Sequence, residues 1–156
     1  MKILISYFSK TGNNKKTAEF LKKLTDADLE EIVDIKKRHG VWGLMSSGFG
    51  GAFKSKTNIK PTKLDPADYD LAIVLSPLWA GGVAPAARTY LKQNAGKFKK
   101  IAFVSICGFG EKNKMAVADF TKTCGQKPIA SILISQPDFE HGKHEQKLRE
   151  FIEKLI

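Results

Sequence analysis

Apolar residues gather in five short runs along this chain, and the runs alternate with segments whose apolar positions recur every three or four residues. The first run, Ile3, Leu4, Ile5, Tyr7 and Phe8, is nearly continuous, as in a strand covered on both faces. The second, Leu29 to Ile35, is broken by Glu30, Glu31 and Asp34 and predicts an edge strand. The third spans Leu71 to Leu75, the fourth Ile101 to Ile106 and the fifth Ile129 to Ile134. Helical spacing relates Thr17, Phe20, Leu21 and Leu24, and likewise Val117, Phe120, Thr121 and Cys124, and then Leu148, Phe151, Ile152 and Leu155. Pro85 suits a first helical turn, with Ala87, Tyr90 and Leu91 behind it. Such alternation predicts an α/β fold: a three-layer, doubly wound parallel sheet of five strands in one domain over residues 1–156.

One stretch does not follow the alternation. Lys36 to Pro61 is long, basic and rich in glycine and aromatics. Trp42, Met45, Phe49 and Phe53 share one helical face, which Gly48, Gly50 and Gly51 weaken. A loose helix packed on the sheet and a mobile aromatic cover near a ligand both fit this pattern.

Ligands of a doubly wound sheet lie at the carboxyl ends of its strands, where the strand order reverses. For the order 2-1-3-4-5 that place is between the first and third strands. The loop after the first strand is Ser9, Lys10, Thr11, Gly12, Asn13 and Asn14. Hydroxyls, a glycine that lets backbone come close, and a helix start with unpartnered amides suit an anion, and an ordinary capped turn has the same composition. The loop after the third strand, Ser76 and Pro77 followed by Leu78, Trp79, Ala80, Gly81 and Gly82, offers an aromatic face between flexible residues. Cys107, Gly108, Phe109 and Gly110 after the fourth strand bring a second aromatic to the same end. Together the loops fit a ligand with a phosphate at one end and a flat ring at the other.

Composition narrows the remaining classes. With 42% hydrophobic and 27% charged residues the sequence has the balance of a soluble globular protein, and no run is long enough to span a membrane. The chain opens directly into the first strand without a signal-peptide pattern, and two cysteines without metal-type spacing favour a reduced, cytoplasmic setting. The net charge is +10. That charge suits an acidic partner or a polyanion, but the lysines are scattered and no nucleic-acid-binding motif accompanies them, so specific nucleic-acid binding is not expected. The sequence lacks a P-loop, and only Gly12 stands where a dinucleotide fingerprint needs several glycines. A response-regulator site would need acids at the end of the first strand, where Ser6 and Tyr7 stand. His141 and His144, near the start of the last helix, are expected to be an exposed, unliganded pair, and no metal site is expected.

At this point Ser9-Lys10-Thr11-Gly12-Asn13-Asn14 resembles the phosphate loop of the flavodoxin family, Ser/Thr-x-Thr-Gly-Asn-Thr, with Asn14 in place of the usual Thr. Ser76-Pro77-Leu78-Trp79-Ala80-Gly81 is similar to that family's flavin-ring loop, and the likeness runs over the whole chain in its short form. The resemblance implies FMN as cofactor. Ser9, Thr11, Gly12, Asn13 and Asn14 would hold its phosphate with the Lys10 backbone; Pro77 to Gly82 would line its ring beside Trp79; Cys107, Gly108, Phe109 and Gly110 would form the other ring loop. Phe109 stands where a tyrosine is often found, and Cys107 is either a buried filler or a ring neighbour. No side chain is required as acid, base or nucleophile.

The resemblance implies an electron-transfer carrier, here expected as a monomer. The alternatives are an NAD(P)H-dependent quinone or flavin reductase on the same FMN, or a flavin-free binding module for an acidic partner. Members of the family are usually acidic, and this chain is basic. By Coulomb's law Lys10 and Lys15 would favour a reduced, negatively charged flavin, and the basic surface would suit redox partner proteins with acidic surfaces.

Overall fold

The structure, a computed structural model, describes residues 1–35, 57–108 and 114–156. The Trp42 to Phe53 segment, and Phe109 and Gly110, lie outside the described residues.

Five parallel strands make the main sheet. They are β1 (Ile3–Tyr7), β2 (Asp28–Glu31), β3 (Leu71–Leu75), β6 (Ile101–Cys107) and β7 (Ala130–Ser135), in the order β2-β1-β3-β6-β7. Counted among parallel strands alone this is the expected 2-1-3-4-5. The labels β4 (Leu78–Trp79) and β5 (Gly82–Val83) belong to a separate antiparallel hairpin, where the sequence predicts only a loop. Every residue of β1, β3 and β6 is buried, which is why those runs lack alternation.

Helices α1 (Asn13–Thr25) and α5 (His144–Glu153) cover one face of the sheet. There Leu21, Phe151 and Ile152 pack with Ile3, Ile5, Ile73 and Val104. Helices α2 (Pro85–Gln93) and α3 (Lys114–Cys124) cover the other, where Tyr90, Leu91 and Phe120 pack with Ala72, Val74 and Phe103. Alternate residues of β3 thus enter opposite layers, as the period of a strand requires. Tyr90 is fully buried and satisfies its hydroxyl on Ser6 Oγ at 2.8 Å. A short helix α4 (Gln136–Glu140), capped by the Ser135 hydroxyl, precedes α5 and was not expected. Among the described residues no helix is long and apolar enough to cross a membrane.

Three local expectations change. The second strand is shorter than Leu29 to Ile35. After Ile32 donates to the Tyr7 carbonyl, the chain turns to the returning segment, with Ile35 N–H on Asn58 O and Lys60 N–H on Val33 O. Glu30, a charge within the apolar run, is 8% exposed, and its Oε2 accepts the backbone N–H groups of Lys63 and Leu64 at 2.9 and 2.8 Å. The histidines are not an exposed pair. His141 is exposed, with Nδ1 2.6 Å from the Pro137 carbonyl oxygen, but His144 is half-buried with its ring 4.4 Å from that of Phe139.

Candidate functional site

The carboxyl ends of β1 and β3 carry the two segments singled out above. After β1, Phe8 still donates to the Leu75 carbonyl, and the chain then bends through Ser9, Lys10 and Thr11 to Gly12. Gly12 has φ 93°, a conformation that an L side chain adopts only under strain. It occupies the N-cap of α1, and its N–H donates to Ser9 Oγ at 3.1 Å. Asn13 and Asn14 therefore stand inside the helix rather than capping it, and no side chain caps the first turn. Asn13 Nδ2 donates to Gln136 Oε1 at 2.9 Å, tying the helix start to α4. Asn14 is buried, and its Oδ1 accepts from Ile106 N–H at 3.4 Å, tying it to β6. Lys10 and Thr11 are exposed and Ser9 is half-buried.

After β3, Pro77 leads into the hairpin. Leu78 pairs with Val83 and Trp79 with Gly82, so Ala80 and Gly81 form the turn. Both turn residues have positive φ, 48° and 79°, as a tight hairpin turn with the right-handed strand twist requires. Ser76 Oγ closes the base, accepting from Ala84 N–H at 3.0 Å and donating to the Pro77 carbonyl at 2.9 Å. Trp79 meets Phe8 edge to face at 6.1 Å, and the Lys10 ammonium lies 5.4 Å from the Trp79 ring centre.

A cleft of about 240 Å³ opens here, walled by Phe8, Ser9, Lys10, Trp79 and the β2 end from Glu31 to Asp34. On the other side of the hairpin a cleft of about 290 Å³ lies between Trp79 to Gly82 and the α3 residues Met115, Ala118 and Asp119. Cys107 is buried with Sγ 3.6 Å from the Ile134 carbonyl, and Gly108 is exposed. So Ser9, Lys10, Pro77 to Gly82, Cys107 and Gly108 all stand at one end of the sheet. Thr11 and Gly12 lead from the same end into α1, and there the Asn13 and Asn14 side chains bond Gln136 of α4 and the Ile106 N–H of β6.

The sequence reading missed Arg88 and Asp119. Arg88 Nη2 lies 2.6 Å from Asp119 Oδ2, with side chains 7% and 21% exposed. A single arginine within the apolar face of α2, and a single carboxylate in α3, were the available signals. Near this end the Tyr7 phenol is raised above its ordinary value by burial, and further by Glu31 and Glu19. His, Cys, Asp and Glu form no group of three or more able to hold a metal among the described residues.

Chemically, the loop before α1 offers an uncapped helix start, two hydroxyls and an ammonium to an anion, and the hairpin offers an aromatic face at its edge.

No protein-family model matches the chain, and no curated protein matches it. Solved structures do. A flavoprotein from Lactobacillus acidophilus NCFM, in complex with FMN, aligns with a TM-score of 0.68 at 22% identity over 90% of this chain and 97% of its own. A candidate flavoprotein from Bacteroides eggerthii DSM 20697 aligns with a TM-score of 0.77 at 21% identity over 97% and 96%. General stress protein 14 of Treponema denticola, in complex with FMN, aligns at 0.57 and 14% identity over 99% and 98%. By strand order and by these likenesses, the chain has the flavodoxin-like fold.

Proposed function

We propose that this chain binds FMN at the carboxyl ends of β1 and β3 and serves as an electron-transfer carrier. The observation that carries the reading is the meeting of an uncapped helix N-terminus, behind Gly12 at φ 93°, with a hairpin aromatic that Lys10 reaches at 5.4 Å. The donor set fits the group: amides, hydroxyls and an ammonium for a phosphate, and an apolar, aromatic wall for a ring. Two of the similar folds reported above are complexes with FMN. Bound FMN supplies reversible electron acceptance and donation.

The residues of this chain bind and orient. Ser9, Thr11 and the first amides of α1 donate to phosphate oxygens, and the Lys10 charge adds Coulomb attraction. Pro77 to Gly82 would line the ring, with Cys107 and Gly108 in the loop after β6 as its other border. Lys10 also favours negative charge at the ring, which raises the reduction potential.

The partner in this reading is a protein with an acidic surface. Along α3 a shallow groove of Val117, Ala118 and Thr121 is bordered by Lys114, Lys122 and Lys127, and Met115 beside it is 71% exposed. Asp119, the one carboxylate of α3, is engaged by Arg88. This cationic rim around an apolar centre starts six residues after Gly108 and suits a carboxylate-rich surface better than bare phosphates.

A reductase on the same FMN is the second reading, favoured by the cleft on the α3 side of Trp79, which gives a second substrate space beside the ring wall. The deciding experiment is a visible spectrum after incubation with FMN and desalting. Flavin bands retained at about one per chain support the reading, as one anion loop requires. A colourless protein sinks it. Steady NAD(P)H oxidation with a quinone by the loaded protein then separates reductase from carrier.

A further inference from the structure

Arg88 is the anomaly of α2. It is 6% exposed beside Ala86, Ala87, Tyr90 and Leu91, all fully buried. Its Nη1 donates to Thr123 Oγ1 at 2.8 Å, and its Nη2 donates to Asp119 Oδ2 at 2.6 Å. Ion pairs this well buried gain little net stability over apolar residues of the same shape, because desolvation offsets the attraction. The pair needs another explanation, and the hairpin supplies it.

The same Asp119 oxygen accepts the N–H of Val83 at 2.9 Å. A Cβ on Gly82 would lie 2.7 Å from that oxygen and 3.3 Å from Arg88 Nη2, so β5 rests on the carboxylate with no room for a side chain. Gly82 is the cross-strand partner of Trp79. Fixing Gly82 and Val83 therefore fixes where Trp79 stands. Arg88 in turn holds the carboxylate: its position is over-determined by Thr123, whose hydroxyl donates to the Asp119 carbonyl at 2.6 Å. Ser76 anchors the other side of the hairpin base at Ala84.

We infer that Arg88 and Asp119 are positioning residues of the ring site, a charged clamp that seats β5 and through the Trp79–Gly82 pair sets the wall a flat ring packs against. The inference rests on the FMN reading above. It assigns no contact between the pair and the ligand. An apolar pair would fill the same space but would leave Val83 N–H without a charged acceptor.

The test is the double variant Arg88→Met/Asp119→Leu, which keeps the packing and leaves no lone buried charge. Three quantities are read: thermal midpoint, hydrogen exchange at the Val83 amide without ligand, and the FMN dissociation constant. The expected result is a midpoint near that of the parent, Val83 exchange faster by roughly tenfold, and FMN binding weaker by roughly tenfold, the scale of one charge-assisted hydrogen bond. Arg88→Lys, which keeps the ion pair, should restore most of both. Unchanged exchange and affinity in the double variant overturn the proposal. Should that variant not fold, Asp119→Asn keeps the shape and removes the charge, and unchanged Val83 exchange there overturns it equally. A parent protein that takes up no FMN overturns the ring role by way of the functional reading, and Val83 exchange then still decides whether the pair holds the hairpin.

Discussion

The ammonium nitrogen of Lys10 stands 5.4 Å from the centre of the Trp79 ring, joining the loop after β1 to the hairpin after β3 across 69 positions of sequence (79 − 10). The same lysine borders the cleft between Phe8, the end of β2 and Trp79, two residues before the Gly12 cap of α1. It is therefore placed to serve both ends of a ligand that has an anion and a ring. In a Trp42→Phe background Trp79 is the sole tryptophan, and FMN should quench its emission. Lys10→Met should weaken FMN binding by roughly three- to tenfold and the binding of riboflavin, which lacks the phosphate, by clearly less. An equal loss for riboflavin would place the role of the ammonium at the ring.

Ala80 at φ 48° is the hairpin's strained position. Left-handed backbone costs an L residue about 1–2 kcal/mol, and glycine avoids this at a cost of about 0.5–1 kcal/mol in chain entropy. Ala80→Gly should therefore leave stability level or raise it by up to ~1 kcal/mol. Gly81→Ala, at φ 79°, should lower it by about 1 kcal/mol. Urea titration checks both. A clear loss in Ala80→Gly would show that the alanine methyl makes a contact worth more than the strain.

Glu30 holds two backbone donors of the returning segment from inside the edge strand. Glu30→Ala leaves the amides of Lys63 and Leu64 without their acceptor and should cost about 2 kcal/mol, allowing for partial access of water. For a chain of this size that is a fall in thermal midpoint of about 4–8 °C. A change within a degree would mean that water replaces the carboxylate there.

All three tyrosines are held protonated beyond their ordinary range. Burial pushes Tyr90 up to about 12, opposed by its bond to Ser6. Burial and then the bond to the Asp28 carboxylate bring Tyr69 to about 12, and Tyr7 is also raised. The folded state therefore keeps phenolic protons that the unfolded chain loses near pH 10. Their stabilisation is whole below about pH 10 and declines as pH rises from there towards 12. Ultraviolet difference spectra should show clearly less tyrosinate in the folded protein at about pH 10 than in the denatured chain, which is half ionised there. A folded protein that titrates with an ordinary phenol there refutes the burial argument.

The layers of the fold were legible because burial repeats at a fixed period. Leu71 to Leu75 forms β3 with the bounds its apolar run predicted, since a strand covered on both faces needs every residue apolar. The phases of α1, α2, α3 and α5 followed likewise from spacing. The hairpin was not legible. Leu78–Trp79 and Gly82–Val83 are too short to show alternation, and the turn places Ala80, a residue with no preference for left-handed backbone, at positive φ. The second strand was overextended because the chain changes partner after Ile32: the backbone of Val33 and Ile35 pairs with the segment returning at Asn58 to Lys60, and Ile35 is apolar yet exposed.

Of the candidate site, the sequence by itself determined that a glycine-bearing polar loop and an aromatic loop follow the first and third strands, and the parallel order then puts both at one end of the sheet. These are local facts of residue type and period. Only the tertiary structure decided who meets whom. Asn13 and Asn14 have capping chemistry, yet Gly12 takes the cap and their side chains turn to Gln136 and Ile106. Arg88 and Asp119 find each other 31 residues apart, and together they seat the strand opposite Trp79. A polar side chain states what it can bond, but its partner is set by distances that exist only once the layers have packed.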